Sequence, residues 1–405
     1  MKSIRLALIL LLLLVLPLAP AFGQSFVEVS NGQFVLSGKP YRALGFTSYQ
    51  YCVGAWNSQA TRADIEKVFD AAKANGMNLF RCTDTIYDFS VGDLNKNLSD
   101  AVWDRIDMLL DIARVRHMKV ILDLAGPAVR TAENASPPFD YSDPANFDRI
   151  KAIYSEIPNR VNSINGRKYR DDPTLFGYSI LGEIVPYGLQ HKPDGTVDLS
   201  DPSRDVENYE KLVHMAAVEL RKNDPNHLIC AGGLLHMSPD GPVKDASGKP
   251  YWQTLWSDPV FDYAAIHIYP DWDHILKGVS LPLAPPYPFS LPVGEWANLG
   301  VYKKYADSIH KPLMVEEWGL PLNRRVPDNP AGTLAYSPQF AVDYVNSAFK
   351  AVSENHIPIM IVWAWHPWDG HDAHFDLFPN ETPEADALIA IIKRYGMGWY
   401  SDEGN

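Results

Sequence analysis

Two glutamates close long apolar runs, and their position is the first sign of chemistry in the sequence. Leu175-Phe-Gly-Tyr-Ser-Ile-Leu-Gly-Glu183 and Pro312-Leu-Met-Val-Glu-Glu-Trp-Gly319 each carry an acid after residues that belong in a protein interior. A carboxyl group at the end of a buried strand either pairs with a nearby cation or serves in proton transfer and nucleophilic attack. Two such groups facing each other suit glycoside hydrolysis, one as general acid/base and the other as nucleophile or base. Glu316 is a rival to Glu317. Along a regular strand Leu313, Val315 and Glu317 share one side and Glu316 takes the other, which favours Glu317.

Aromatic residues gather where a sugar would need them. Nine of the 11 Trp lie beyond residue 250, and Trp272, Trp318, Trp363, Trp365 and Trp368 fall at or just after apolar runs. The C–H faces of a pyranose pack flat on indole, so these positions outline a candidate sugar-stacking cleft. The segment His366-Pro-Trp-Asp-Gly-His-Asp-Ala-His374 holds three His and two Asp close together. Its spacing matches no zinc signature, calcium would want more carboxylates, and a loop lining the cleft is the favoured reading. Neither a metal nor an organic cofactor is expected.

These side chains need a scaffold that brings distant strand ends together. Apolar runs at Tyr41–Phe46, Met77–Arg81, Lys119–Leu124, Leu175–Leu181, Leu228–Ala231, Tyr263–Ile268, Leu313–Glu317 and Ile357–Trp363 read as eight strands, nearly all followed by a helical pattern. Thr61-x-x-Asp64 reads as a capping box opening one of those helices, with Ile65, Val68, Phe69 and Ala72 on its apolar face and Gly76 ending it. Continuous apolar strands alternating with amphipathic helices predict a parallel sheet covered by helices, and eight units predict a single-domain α/β protein, a (β/α)8 TIM barrel. An open doubly wound sheet would usually carry a Gly-rich phosphate loop, and neither G-x-G-x-x-G nor a P-loop is present. Catalytic groups of such a barrel sit at the C-terminal ends of its strands, where both glutamates are predicted to lie. The Pro-rich Leu281-Pro-Leu-Ala-Pro-Pro-Tyr-Pro-Phe289 reads as one long loop on that face.

Composition narrows the function classes. The chain has 405 residues, 36 Lys+Arg against 49 Asp+Glu, a net charge of −13 and 46% hydrophobic residues. The acidic balance argues against a nucleic-acid partner, and the apolar content supports a large core. Residues 1–23 read as a secretory signal peptide: Lys2 and Arg5 precede the apolar run Leu6–Leu18, and Ala21-Phe-Gly23 forms the cleavage site. Residues 24–405 are then one catalytic domain, secreted or periplasmic, with no membrane contact after cleavage and expected to be a monomer. Cys52 and Cys82 follow neighbouring strands, so both a disulfide and buried free thiols remain open.

Several segments together resemble one family. Asn159-Arg-Val-Asn-Ser-Ile-Asn-Gly-Arg-Lys-Tyr-Arg-Asp-Asp-Pro-Thr-Leu-Phe-Gly-Tyr-Ser-Ile-Leu-Gly-Glu183 is similar to the stretch before the acid/base glutamate in endo-β-1,4-mannanases of glycoside hydrolase family 5. Phe261-Asp-Tyr-Ala-Ala-Ile-His-Ile-Tyr-Pro-Asp-Trp272 resembles the sixth-strand segment with its H-x-Y motif, Phe34–Phe46 the opening strand, and Glu317-Trp-Gly the nucleophile motif. The order is consistent from residue 26 to residue 395. The resemblance implies Glu183 as acid/base, Glu317 as nucleophile, and Arg81 as the arginine that hydrogen-bonds the nucleophile and keeps it ionised. It further implies that His267 lines the sugar site, that the Tyr269 hydroxyl holds the nucleophile, and that Trp363, with Trp365 as backup, forms the floor under the reacting sugar. Trp272 joins the substrate-binding set, the mechanism is retaining, and a polysaccharide or oligosaccharide is the partner.

One departure bears on the substrate. Most members of this clan carry Asn before the acid/base and Pro after it, whereas this chain has Gly182 and Ile184. The Asn normally hydrogen-bonds the sugar 2-OH, a contact that strengthens in the transition state. β-1,4-Mannan is the leading substrate, with another β-glycan such as glucan or cellulose, or glycan binding without cleavage, as the alternatives.

Overall fold

In the computed structural model the described residues are 25–52, 60–83, 85, 100–124, 144–184, 202–234, 244, 247–269, 294–320, 322, 338–367 and 375–401, a few within helices and strands, Glu183 among them, by backbone alone. The predicted signal segment 1–23, Trp272, the Pro-rich stretch 281–289 and residues 368–374 of the weighed metal loop lie outside them.

Eight parallel strands form the barrel: β4 (Ala43–Thr47), β5 (Leu79–Cys82), β6 (Lys119–Asp123), β7 (Leu175–Ser179), β9 (Leu228–Cys230), β11 (Ala264–Ile268), β12 (Leu313–Trp318) and β13 (Ile359–Val362). β13 pairs back onto β4, Ile359 opposite Ala43. On the other side, β8 (Glu183–Ile184) extends the fourth strand and β10 (Gly233–Leu234) the fifth; they pair with each other, and Leu234 meets Ile266 to complete the circuit. A helix follows each strand, from Arg62–Ala74 after β4 to Pro383–Ser401 after β13. The first of these is held by the reciprocal Thr61 and Asp64 capping box, and Gly76 follows its end at φ +83°.

The core has two layers. Leu44, Phe46, Phe80, Leu122, Ile266, Val315 and Met360 point outward to the helices, while Ala43, Leu79, Ile121, Phe176, Ala265, Met314 and Ile361 fill the interior. Alternation along each strand produces both layers from one apolar run.

One element departs from the sequence reading. The stretch taken as a single opening strand region, Phe34–Phe46, is divided: β1 (Val27–Ser30), β2 (Gln33–Leu36) and β3 (Lys39–Pro40) make a separate antiparallel sheet before β4. Its turns, Asn31-Gly32 and Ser37-Gly38, hold all four residues at positive φ, as two-residue hairpin turns require. Val27, Phe34 and Tyr41 join the interior cluster, and the Phe34 ring meets Phe176 and Tyr263 at 5.3 and 5.5 Å. The hairpin therefore plugs the barrel end opposite the glutamates, each fully buried large side chain contributing about 1.5–3 kcal/mol. Among the described residues no helix is long and apolar enough to cross a membrane.

Candidate active site

The same alternation that fills the interior delivers polar side chains to its upper rim. In β5 Leu79 points in, Phe80 out and Arg81 in; in β6 Ile121 points in, Leu122 out and Asp123 in. In β11 Ala265 points in and His267 follows it two residues on.

Strand β12 breaks this rule. Met314 packs inside and Val315 outside, so unbroken alternation would turn Glu316 inward and Glu317 toward the helices. The ladder instead shifts: Ile266 faces Val315, but His267 faces Glu317, so Glu316 is passed over. This is a β-bulge, two residues opposite one. It corrects the expectation that Glu317 shares a side with Leu313 and Val315: those two face the helices, and the bulge carries both glutamates to the inner rim.

Arg81 is the centre of the rim. Its Nη1 donates to Glu317 Oε2 at 2.5 Å and its Nη2 to Asp123 Oδ2 at 2.5 Å, while Nε lies 3.9 Å from Glu316 Oε1. Arg81, Asp123 and Glu316 are fully buried, and Glu317 is 5% exposed. Burial on its own would depress the Arg81 pKa, but Asp123, Glu317 and Glu316 outweigh it and hold the guanidinium well above its ordinary value. Thr83 Oγ1 donates to Asp123 Oδ2 at 3.0 Å, fixing the carboxylate that anchors the far side of the fork.

Tyr269 donates its hydroxyl proton to Glu317 Oε1. Glu317 therefore accepts from a guanidinium on one oxygen and a phenol on the other, which favours its anion and fixes its orientation. His267 has no exposed surface. The expectation that it lines the sugar site is corrected: its Nδ1 lies 3.8 Å from Glu317 Oε2 and its Nε2 3.7 Å from Glu316 Oε2, beneath the rim. Gly233 makes room for the ring, since a Cβ there would stand 2.0 Å from His267 Cδ2 and Nε2.

The two tryptophans differ in accessibility. Trp363 is half-buried, its backbone N–H donating to Trp318 O at 2.7 Å and its peptide bond to Ala364 cis. Gly319 of the Glu-Trp-Gly motif allows this approach, because a Cβ would lie 2.4 Å from Trp363 O. Trp365 has no exposed surface and packs 5.8 Å from Phe378. It cannot present a face to a sugar, so its role as backup floor is corrected, and buried Trp318 leaves the stacking set for the same reason.

Glu183 is placed by its backbone, at the tip of the fourth strand and in register with Gly233. Gly182 adopts φ +57°, a left-handed conformation for which Gly and Asn are the favoured residues. Cys52 and Cys82 are buried free thiols, so of the two alternatives the bridge is not formed; burial first, and then Cys82, pushes the Cys52 thiol up. Among the described residues no group of three His, Cys, Asp or Glu is arranged to hold a metal ion.

Asp123 and Ser179 were missed in the sequence. Asp123 carried the same signal as the two glutamates, an acid ending the apolar run Lys119–Leu124. Ser179 carried none, being a small polar residue within a strand.

Comparison with known proteins places this geometry. Residues 139–372, more than half the chain, match the model of the family described as GH family 5 beta-mannosidase-like. Mannan endo-1,4-beta-mannosidase 8 of Oryza sativa subsp. japonica is 24% identical over 398 residues, covering 90% of this chain and 94% of that protein. Mannan endo-1,4-beta-mannosidase 1 of Arabidopsis thaliana is 27% identical over 326 residues, covering 73% of this chain and 71% of its own. In fold, the chain is similar to the crystal structure of the endo-1,4-beta-mannanase from Rhizomucor miehei, with a TM-score of 0.70 at 20% identity, covering 93% of this chain and 100% of that one.

Proposed function

Because the chain belongs to the glycoside hydrolase family 5 β-mannosidase-like family, we propose that it is a retaining hydrolase of β-1,4-mannan. The carrying observation is the Glu317 carboxylate, clamped between Arg81 and Tyr269 at the rim of the barrel. In this reading Glu317 attacks the anomeric carbon as the glycosidic C–O bond breaks, and Glu183 protonates the departing oxygen. Water then cleaves the glycosyl ester, giving a proton to Glu183 and returning Glu317 to its anion. Arg81 and Tyr269 hold the attacking carboxylate ionised and oriented, so that little reorganisation is needed when it reacts. Trp363 supplies the stacking surface beneath the sugar. Mannan endo-1,4-beta-mannosidases among the relatives support the substrate. Export through residues 1–23, action as a monomer and an extended polysaccharide ligand belong to the same proposal.

Gly182 supports a second reading, a barrel that binds β-glycans without cleaving them, because no side chain there can bond the 2-OH. Reducing ends released from β-mannan, glucomannan, cellulose and β-1,3-glucan in parallel decide between the two. The first reading expects release from β-mannan, lost in Glu183→Ala and in Glu317→Ala; retained binding with no product on any glycan overturns it.

A further inference from the structure

One buried acid at the rim has no task in the mechanism above. Glu316 has no exposed surface; it follows Val315 to the inner side of β12, and the bulge brings Glu317 to the same rim beside it. Its Oε2 accepts from Ser179 Oγ at 3.2 Å and lies 3.7 Å from His267 Nε2. Its Oε1 and Arg81 Nε face each other at 3.9 Å, and among the described residues neither atom has a hydrogen-bond partner.

A guanidinium offers three edges, and each of these is addressed by a different carboxylate: Nη1 by Glu317, Nη2 by Asp123 and Nε by Glu316. Asp123 alone would balance the charge of Arg81. A third buried carboxylate is costly in an interior that screens charge poorly, so its presence calls for a role beyond pairing. The 3.9 Å gap is also too long for the direct hydrogen bond a structural ion pair would make. Among the described residues, Glu316 is faced by Arg81 from β5, Ser179 from β7 and His267 from β11, with Glu317 beside it, and its charge also acts on Cys230 and Tyr263. Arg81 is the only full cation among them.

We propose that Glu316 is a positioning residue for the hydrolytic site: it holds the third edge of Arg81 and the rear nitrogen of His267, and so limits how strongly Arg81 stabilises the Glu317 anion. A carboxylate held too firmly by its cation is a weaker nucleophile, and a competing anion on the same guanidinium offsets this. The proposal rests on Glu317 being the nucleophile.

Glu316→Gln keeps the side-chain volume and removes the charge. Its expected effect is a kcat on β-mannan lowered about 10-fold with KM nearly unchanged, and an acid limb of the kcat/KM profile displaced by about half a pH unit or more to lower pH. Glu316→Asp, which keeps the charge and shortens the reach, is expected to shift both in the same direction by less. A Gln variant with the wild-type kcat and acid limb overturns the proposal, as do Gln and Asp variants equally impaired with an unmoved acid limb, the pattern of lost packing. If the Gln variant does not fold, the Asp variant carries the test, and a wild-type profile in it overturns the proposal. If the wild-type protein cleaves no β-glycan, the hydrolase reading fails separately. The pH at which the melting temperature begins to fall on acidification then reports the same competition: a lower onset in Glu316→Gln is expected, and an equal onset overturns the proposal.

Discussion

Glu317 stands opposite His267 in the ladder between β11 and β12, one residue later than the pairing of Ile266 with Val315 would continue. That slip, localised at Glu316, brings two consecutive acids to one rim and allows one arginine to reach both. Bulges re-aim side chains next to active sites, and here the re-aimed residue is Glu317, the carboxylate proposed to attack.

Tyr269→Phe removes the hydroxyl that donates to Glu317 and leaves the ring, which packs in a T-shaped arrangement with Phe375, centroids 5.4 Å apart. A hydrogen bond to a charged group contributes about 1.5–3 kcal/mol, so kcat on β-mannan is expected to fall about 10- to 100-fold with the melting temperature nearly unchanged. Steady-state kinetics beside a thermal melt checks this. An unaltered kcat removes Tyr269 from the site.

The two tryptophans after β13 should separate by readout. Trp363→Ala takes away a half-buried stacking surface and is expected to raise KM for oligosaccharides while the fold survives. Trp365→Ala empties a fully buried position and is expected to cost about 3–5 kcal/mol of stability. Substrate affinity and denaturant midpoints measured on both variants distinguish them, and the reverse pattern would return Trp365 to the cleft.

Much of this was legible in the sequence, and the misses have physical causes. Each barrel strand announced itself as an apolar run, because burial on both faces leaves few polar positions in it, most of them toward the strand ends. The hairpin Val27–Pro40 was hidden, although Asn31-Gly32 is a strong turn signal, because its short strands adjoin the apolar residues of β4. Arg81 and Tyr269 came from motif likeness and are found where the likeness put them, against Glu317. The orientation of Glu317 could not be read from alternation, since a bulge leaves no mark in the residue pattern. The burial of His267 and Trp365 depends on what covers each of them, which the chain order does not reveal.

Gly233→Ala tests the seat of His267. The added Cβ would lie 2.0 Å from the imidazole, so the ring or the strand has to move. Overpacking of this kind costs about 1–3 kcal/mol. The expected outcome is a lower melting temperature together with reduced kcat, and a variant indistinguishable from wild type in both would show that His267 is free to move without consequence.

At the opposite end of the barrel, Lys119 donates to Pro173 O at 2.5 Å and to Ser25 O at 2.8 Å. Burial lowers its pKa from 10.5 to about 8. Between those values the unfolded chain binds more protons than the folded one, so this group's contribution to stability rises with pH across that window. Relative to Lys119→Met, the wild-type protein is expected to gain about 2 kcal/mol, after allowance for partial solvent screening, as pH rises from about 8 to 10.5. Urea unfolding of both proteins at several pH values measures the difference; a constant gap would mean that Lys119 titrates normally.

The proposed nucleophile can be tested by trapping. A β-mannosyl fluoride bearing fluorine at C2 transfers its sugar to an attacking carboxylate and slows release of the ester, so digestion and mass spectrometry locate the modified residue. The site geometry predicts a single added fluorosugar on Glu317, with loss of fluoride and loss of mannan hydrolysis in step, and no label in Glu317→Ala. A label on Glu316, or full mannan hydrolysis by Glu317→Ala, would contradict it.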